Sequence, residues 1–161
     1  MFFPGTRPLI LQIDLNIGQY ENFASPAGNV NVTGGGLNMT VKSHNILVVD
    51  DDETIRSAVS DILEKIGLKV SSAGNGEKGM DLFVNSKFDL VVTDFDMPGM
   101  NGIDLANKIK TKSPSTVIVL MTGNEKEFIL SRIKDTGIDQ AIFKPFTFRE
   151  MAEAVQRLLQ G

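Results

Sequence analysis

The sequence predicts an α/β domain with a doubly wound parallel sheet, and three observations favour this fold class. Short, continuous apolar segments recur between residues 44 and 161. Stretches with helical periodicity separate these segments. The segments are apolar throughout rather than alternating, which indicates strands buried on both faces, as in parallel sheets covered by helices. We therefore expect five β/α units in one small domain.

The elements follow one another in a regular order. Continuous apolar segments predict four strands, at 46–49, 90–92, 117–121 and 141–143. The segment LKVSS at 68–72 alternates instead, which predicts a strand at the edge of the sheet.

The first and last helices are predicted by apolar residues spaced three or four positions apart. In the first helix these residues are Ile55, Ala58, Val59, Ile62 and Ile66. In the last helix they are Phe148, Met151, Ala152, Val155 and Leu159. Thr147 and Glu150 match a capping box, which places the start of the last helix.

Residues 1 to 43 differ from the rest of the chain. They are rich in Gly and Asn, carry few charges and have no helical period. We expect an N-terminal extension that is flexible or forms a short β-hairpin. The domain proper is expected over residues 44–161.

Composition excludes several classes of function. The chain has 161 residues, no cysteine and a formal net charge of -4. Thiol catalysis and thiolate metal sites are therefore excluded, and a nucleic-acid partner is not expected. No apolar run approaches the roughly 20 residues that a membrane helix needs. We expect a cytoplasmic protein without a membrane partner.

Polar residues with chemical potential follow the predicted central strands. Asp50 and Asp51 follow the first strand, and Asp94 follows the third. Thr122 and Lys144 follow the fourth and fifth strands. Because the carboxyl ends of parallel strands share one edge of a sheet, where such folds bind ligands, these residues predict a site.

The chemistry of this edge favours a metal-dependent phosphoryl transfer. Crowded carboxylates resist ionisation, and Mg²⁺, which prefers oxygen ligands, relieves that conflict. Asp94, on the middle strand, is then the predicted nucleophile toward phosphorus. Lys144 would neutralise phosphoryl oxygens, and Thr122 would bond to one of them. Asp52 has the simpler role of capping the following helix.

Four segments together resemble one protein family. They are ILVVDDD, DLVVTDFDMPGMNG, VIVLMTG and FKPF, in that order. This combination is similar to the receiver domain of two-component response regulators. The resemblance covers residues 44–161 and implies a flavodoxin-like sheet with strand order 2-1-3-4-5.

The resemblance implies a role for each residue of the site. Asp94 would accept a phosphoryl group, with Thr122 as the switch hydroxyl and Lys144 as the family's lysine. The Lys144–Pro145 bond is cis in that family. The implied Mg²⁺ ligands form a separate set: Asp50, Asp51, Asp94 and the backbone carbonyl of Asp96.

The implied function is that of a signalling switch or relay rather than an enzyme. The partner that supplies phosphate would be a sensor histidine kinase or a histidine phosphotransfer protein, and the output would be an unidentified protein target. A homodimer is compatible with the family. We expect a stand-alone receiver whose partner surface includes the fourth helix, the fifth strand and the fifth helix.

One position departs from the family pattern. The family usually has an aromatic residue three positions before the lysine, where this chain has Ala141. Activation through an aromatic side chain at that position is therefore in question. Phe143, two positions later, is expected in the core.

Two other interpretations match part of the motifs. The segment TDFDMPG resembles the first motif of haloacid-dehalogenase-type phosphatases, with Asp96 as a general acid beside Asp94. The order of the acidic pair and the lysine argues against it. Gly74, Gly76 and Gly79 match a dinucleotide-binding pattern, but they follow the edge strand rather than the central one.

Overall fold

The computed structural model describes residues 43–160, which form one sheet and five helices. The strands are β1 (Asn45–Val49), β2 (Lys69–Ala73), β3 (Leu90–Asp94), β4 (Val117–Thr122) and β5 (Gln140–Phe143). The helices are α1 (Glu53–Lys65), α2 (Gly76–Asn85), α3 (Gly102–Lys112), α4 (Lys126–Ile133) and α5 (Phe148–Gln160). The predicted extension over residues 1 to 43 lies, apart from Ser43, outside the described residues.

The sheet is parallel throughout, with the order β2-β1-β3-β4-β5. This confirms the predicted fold class and strand order. The alternating segment forms the edge strand β2, as predicted, and β3 occupies the centre. The central strand therefore ends at Asp94, between the ends of β1 and β4.

The core has two halves, one on each face of the sheet. Ile46 and Val48 of β1 pack on the face that carries α1 and α5. Leu47 and Val49 pack on the opposite face, against residues of α2 and α3. Successive strand side chains point to opposite faces, so a strand covered on both sides must be apolar at every position. This is why the strands of this chain read as continuous apolar segments.

The helix boundaries agree with the predicted caps. The Asp52 carboxylate accepts hydrogen bonds from the amides of Thr54 and Ile55, at 2.8 and 3.2 Å, and so begins α1. At α5, the Thr147 amide donates to Glu150 Oε2 at 2.6 Å, and the Glu150 amide donates to Thr147 Oγ1 at 3.2 Å. Each bond satisfies a backbone group that the helix itself leaves unpaired.

The structure corrects one core assignment. Phe143 was expected in the core, but it is half-buried and belongs to neither core cluster. It is the last residue of β5, a strand at the edge of the sheet. Only one side of such a strand pairs with a neighbour, so its final side chain is less covered.

Within the described residues 43–160, no helix is both long and apolar enough to cross a bilayer.

Candidate functional site

The predicted site residues meet at the carboxyl edge of the sheet. Asp50 directly follows β1, and Asp94 is the last residue of β3. Thr122 is the last residue of β4, and Lys144 directly follows β5. These four strands are consecutive neighbours in the sheet, so strand geometry alone places the four side chains along one edge.

The Lys144 ammonium group bridges two carboxylates. Its Nζ lies 2.6 Å from Asp94 Oδ1 and 3.2 Å from Asp50 Oδ2. The side chain of Asp50 is only 1% exposed and that of Lys144 is 16% exposed. Asp94 is also buried. The centre of the site is therefore a desolvated group of two acids and one base.

The backbone of β5 fixes the position of this lysine. The Lys144 amide donates to the Thr122 carbonyl oxygen at 2.6 Å, which continues the β4–β5 pairing beyond the last paired residues. The Lys144–Pro145 peptide bond is cis, as the family resemblance implied.

Burial dominates the electrostatics of the two acids. Desolvation raises the pKa of Asp50 above its ordinary value, although the charge of Lys144 and the hydrogen bond from the Asp52 amide act in the opposite direction. Desolvation likewise raises the pKa of Asp94 against the hydrogen bond and charge of Lys144, and the charge of Asp50 raises it further. Both carboxylates are costly to ionise, and one lysine does not remove that cost.

The pKa of Lys144 is also raised, but for a different reason. Burial alone would lower the pKa of Lys144, but the hydrogen bond and charge of Asp94, together with Asp50, raise it above the ordinary value. The lysine is therefore held in its charged form within the site.

Asp50 is held at both its side chain and its backbone. Its Oδ1 accepts from the Asp52 amide at 2.8 Å, while the Arg56 guanidinium donates to its carbonyl oxygen at 2.7 Å. Sequence reasoning missed Arg56. Arg56 lies four residues after the cap residue Asp52, about one turn along α1. This spacing is the only feature of the sequence that places its side chain near Asp50.

The side chains of Thr122, Asn124 and Asp96 form a second polar group. The buried Thr122 Oγ1 accepts from the Asn124 amide at 3.0 Å. Asn124 Nδ2 donates to Asp96 Oδ2 at 2.5 Å and approaches Thr122 Oγ1 at 3.4 Å. Asn124 therefore links the end of β4 to the loop after β3.

Gly102 supports the Asp94 backbone. A Cβ atom at position 102 would lie 2.1 Å from the Asp94 carbonyl oxygen. The Gly102 amide also donates to the Phe95 carbonyl oxygen at 3.1 Å. Gly102 is the first residue of α3, and its lack of a side chain allows that helix to approach the strand closely.

The expected cluster of three carboxylates is only partly formed. Asp50 and Asp94 meet at Lys144, but Asp51 is exposed. Among the described residues, no group of three or more His, Cys, Asp or Glu side chains is arranged to hold a metal ion. The reason is local: Asp50 turns toward Lys144 and the Asp52 amide, whereas the side chain of Asp51 lies in solvent.

The donor set nevertheless fits a hard divalent cation. Two buried carboxylates repel each other and share a single ammonium group. The negative charge of Asp51 lies beside Asp50 and raises the pKa of Asp50. Mg²⁺ prefers carboxylate and carbonyl oxygens and keeps several waters, so it needs few protein ligands.

The glycine pattern at the start of α2 has a packing role. A Cβ atom at Gly76 would lie 2.5 Å from the carbonyl oxygen of Met100. The cap of α2 is Asn75, whose side chain accepts from the Lys78 amide. These glycines follow the edge strand, as the sequence indicated, and close contact accounts for Gly76 without a dinucleotide.

Comparisons with known proteins agree with this geometry. The sequence model of the response regulator receiver domain matches residues 46–156. A probable chemotaxis protein CheY of Rhizobium etli is 34% identical over 115 residues, which cover 69% of this chain and 88% of that protein. Sporulation initiation phosphotransferase F of Bacillus subtilis is 29% identical, and the match covers 73% of this chain and 94% of that protein.

Solved structures give the same result. The response regulator TrrA of Thermotoga maritima, in complex with Mg²⁺ and BeF, superposes with a TM-score of 0.66 at 33% identity. The match covers 71% of this chain and 98% of that one. Some relatives are much longer, since the chain spans 27% and 47% of the length of two others.

Proposed function

The chain belongs to the response regulator receiver family, and from that premise we propose that it accepts a phosphoryl group on Asp94 in a Mg²⁺-dependent reaction. The donor would be a phosphohistidine on a sensor histidine kinase or a histidine phosphotransfer protein. The modified chain then acts in the cytoplasm as a switch or relay through a protein target, rather than as an enzyme on small molecules.

The observation that carries this proposal is the bridge made by Lys144. An ammonium group 2.6 Å from the Asp94 carboxylate lies where new negative charge would appear on phosphorylation. Phosphoryl transfer depends mainly on positioning and on neutralising charge. A half-buried lysine, held charged by its surroundings, would neutralise part of that charge.

A bound metal ion would neutralise the remaining negative charge. Asp50, Asp51, Asp94 and the carbonyl of Asp96 are the proposed ligands. When bound, Mg²⁺ neutralises carboxylate and phosphoryl oxygens. The Mg²⁺ and BeF bound by the Thermotoga maritima relative support this assignment, as does the surplus of negative charge around Asp50.

The proposed transfer can be written atom by atom. A carboxylate oxygen of Asp94 forms a bond to phosphorus while the bond from phosphorus to the donor's imidazole nitrogen breaks. The imidazole leaves with its electron pair and takes up a proton. Lys144 stays protonated and bonds to phosphoryl oxygens, and Thr122 donates its hydroxyl proton to one of them.

The lifetime of the phosphoryl group would depend on Asp96 and Asn124. Their side chains are hydrogen-bonded to each other at 2.5 Å and lie beside the Thr122 hydroxyl. Water that attacks the phosphoryl group would approach past this pair. We assign them a role in the rate of dephosphorylation.

The proposal is tested by labelling the full chain with a small phosphodonor and Mg²⁺. Wild type should acquire one hydroxylamine-sensitive phosphoryl group, and the Asp94→Ala variant should acquire none. Asp96→Ala is the matched control, because it removes a neighbouring carboxylate but keeps the backbone carbonyl that is the proposed Mg²⁺ ligand. It should still be labelled, with an altered rate of loss.

Two outcomes would refute the assignment. The first is a persistent label in Asp94→Ala. The second is steady hydrolysis of added phosphomonoesters that depends on the Asp96 side chain, which would instead favour the haloacid-dehalogenase-type reading.

A further inference from the structure

The acidic residues that follow β1 form a turn that is held at several points. The Asp50 amide donates to the Ala73 carbonyl oxygen at 3.2 Å, and the Asp52 amide donates to Asp50 Oδ1 at 2.8 Å. Asp51 lies between these two residues and is exposed, and none of the side-chain hydrogen bonds or ion pairs within residues 43–160 involves it. The position of the Asp51 carboxylate therefore depends on the backbone that carries it.

Arg56 holds the carbonyl group of Asp50. Its Nη1 donates to the Asp50 carbonyl oxygen at 2.7 Å. A peptide unit is planar, so this oxygen lies in one plane with the amide nitrogen and the Cα of Asp51. A bond that fixes the carbonyl oxygen therefore also fixes the direction in which the chain enters Asp51.

The partner of Arg56 is a carbonyl although several carboxylates precede it in the sequence. Asp51, Asp52 and Glu53 lie three to five residues before Arg56. In the part of the chain that the structure describes, the Arg56 guanidinium forms an ion pair with none of them. An ion pair with Asp51 would neutralise that carboxylate and compete with a metal ion. Donation to the carbonyl holds the turn and leaves the Asp51 carboxylate available.

The loop after β2 limits the movement of the guanidinium. Arg56 is half-buried and lines a hollow of about 500 Å³ together with Ser72, Gly74 and Lys78. A Cβ atom at Gly74 would lie 3.4 Å from Arg56 Nη1. The backbone of Gly74 therefore lies directly against the guanidinium, which restricts it to the side that faces Asp50.

We propose that Arg56 is a positioning residue for the Mg²⁺ site, because it fixes the backbone from which the Asp51 carboxylate extends. Arg56 acts here through Asp51, which is a metal ligand only under the function proposed above, on which this inference rests. Residues that orient metal ligands from behind typically contribute 10- to 100-fold to metal affinity. Asp51 needs such support, since its own carboxylate has no partner within residues 43–160.

Charge and position predict opposite effects of removing Arg56. The guanidinium is a cation beside the acidic turn, so its charge repels Mg²⁺. If Arg56 acted through its charge alone, its removal would tighten Mg²⁺ binding. If it positions the turn, its removal weakens binding. The direction of the change therefore distinguishes the two roles.

Mg²⁺ affinity of the unphosphorylated full-length chain provides the test. MgCl₂ is added stepwise at constant ionic strength while the amide NMR signals are followed. Arg56→Met keeps an unbranched side chain but removes the charge and the donors, and we expect its Kd to rise about tenfold or more. Arg56→Lys keeps the charge and a donor and should give an intermediate Kd. The NMR signals recorded without Mg²⁺ report whether each variant is folded.

Arg157→Met is the matched control. Arg157 is exposed and donates to Gln140 Oε1 at 2.8 Å, so this variant also loses one positive charge and one side-chain hydrogen bond. Gln140 begins β5, which places the lost bond at the opposite edge of the parallel sheet. The Kd for Mg²⁺ should stay at the wild-type value.

A double-mutant cycle tests whether Arg56 acts through Asp51. In the Asp51→Asn background, Arg56→Met should change the Kd by less than about twofold, because residues that act through one another are not additive. A full tenfold loss in that background would overturn the inference.

Three further outcomes would contradict it. An unchanged or lower Kd in Arg56→Met removes the positioning role and leaves the metal site intact. Equal weakening in Arg56→Met and Arg157→Met shows that the bond to Asp50 is not the cause. Absence of Mg²⁺ binding by wild type overturns the proposed metal site, and the role of Arg56 with it.

Discussion

At the scale of single residues, the site is organised by one half-buried base, Lys144, between two buried acids. Lys144 contacts both Asp50 and Asp94. Losing one partner of such a group leaves a buried charge uncompensated, which is costly. The pairing therefore orients the lysine in the resting state, and the surplus of negative charge leaves a place for a cation.

The raised pKa of Asp94 gives a pH-dependent prediction. In metal-free buffer, Asp94 is harder to ionise in the folded than in the unfolded chain, where its pKa is near 3.8. The free-energy penalty for ionising Asp94 in the folded chain is absent well below pH 3.8. This penalty grows as the pH rises from there through the raised pKa. We expect the unfolding free energy of Asp94→Asn, measured relative to wild type, to increase between about pH 4 and pH 7.

Denaturant titrations at several pH values measure this difference. Asp61→Asn, at an exposed position of α1, is the matched control for removing a carboxylate. A relative stability of Asp94→Asn that falls as pH rises would show that the ion pair with Lys144, rather than burial, dominates the titration of Asp94.

Gly102 gives a second prediction at this scale. A Cβ atom there would lie 2.1 Å from the Asp94 carbonyl oxygen, so Gly102→Ala must displace α3 or the end of β3. We expect a loss of about 1–3 kcal/mol in unfolding free energy, typical of overpacking. Gly123→Ala is the control, since its Cβ would meet nothing within 4 Å. Equal stability of the two variants would contradict the close contact.

At the scale of elements, the helices differ in how firmly they are held. α5 has a reciprocal capping box and four buried residues. α4 has eight residues, one of them buried, and its cap residue Glu125 makes no side-chain hydrogen bond. Because local stability follows buried contacts and caps, α4 is the helix that a change at Thr122 would displace most easily.

An aromatic contact partly compensates for this weakness. Phe128 of α4 meets the ring of Phe95 edge to face, with centroids 6.2 Å apart, and the Arg132 guanidinium lies 5.1 Å from the Phe128 ring centroid. Phe95 directly follows Asp94. The chain therefore has an aromatic link between the loop after β3 and α4, although Ala141 provides none on β5.

Removing this link should loosen α4. We expect Phe128→Ala to speed amide exchange in α4 by several-fold, because edge-to-face pairs contribute roughly 0.5–1.5 kcal/mol beyond their buried area. Leu130→Ala is the control, as Leu130 is similarly exposed on the same helix, at 48% against 42% for Phe128. Equal exchange in both variants would mean that the ring contact does not stabilise the helix.

At the scale of the whole molecule, most of the fold and much of the site follow from sequence patterns. Strands buried on both faces must be apolar throughout, so the sequence shows them as continuous apolar segments. Parallel strands align their carboxyl ends, which predicts that Asp50, Asp94 and Lys144 share one edge of the sheet. The family resemblance then supplied the strand order.

What the sequence did not reveal depends on local backbone direction and on the way packed elements approach one another. The outward position of Asp51 and the half-exposure of Phe143 result from local backbone direction and from the edge of the sheet. The bond from Arg56 to the Asp50 carbonyl and the approach of Gly102 to Asp94 require packed helices. A periodic pattern identifies which face is buried, but not which backbone atom a side chain reaches.

The whole-molecule consequence of the proposed metal site is a gain in stability with Mg²⁺. A ligand that binds only the folded chain adds about 2.7 kcal/mol at a concentration 100 times its Kd. We expect Mg²⁺ to raise the unfolding midpoint of wild type at constant ionic strength, and Asp51→Asn to reduce that shift, because Asp51 is exposed and its loss disturbs no packing. Asp52→Asn is the control, since asparagine also caps a helix and should preserve the shift. Equal shifts in both variants would remove Asp51 from the proposed ligands, and no shift in wild type would overturn the metal site.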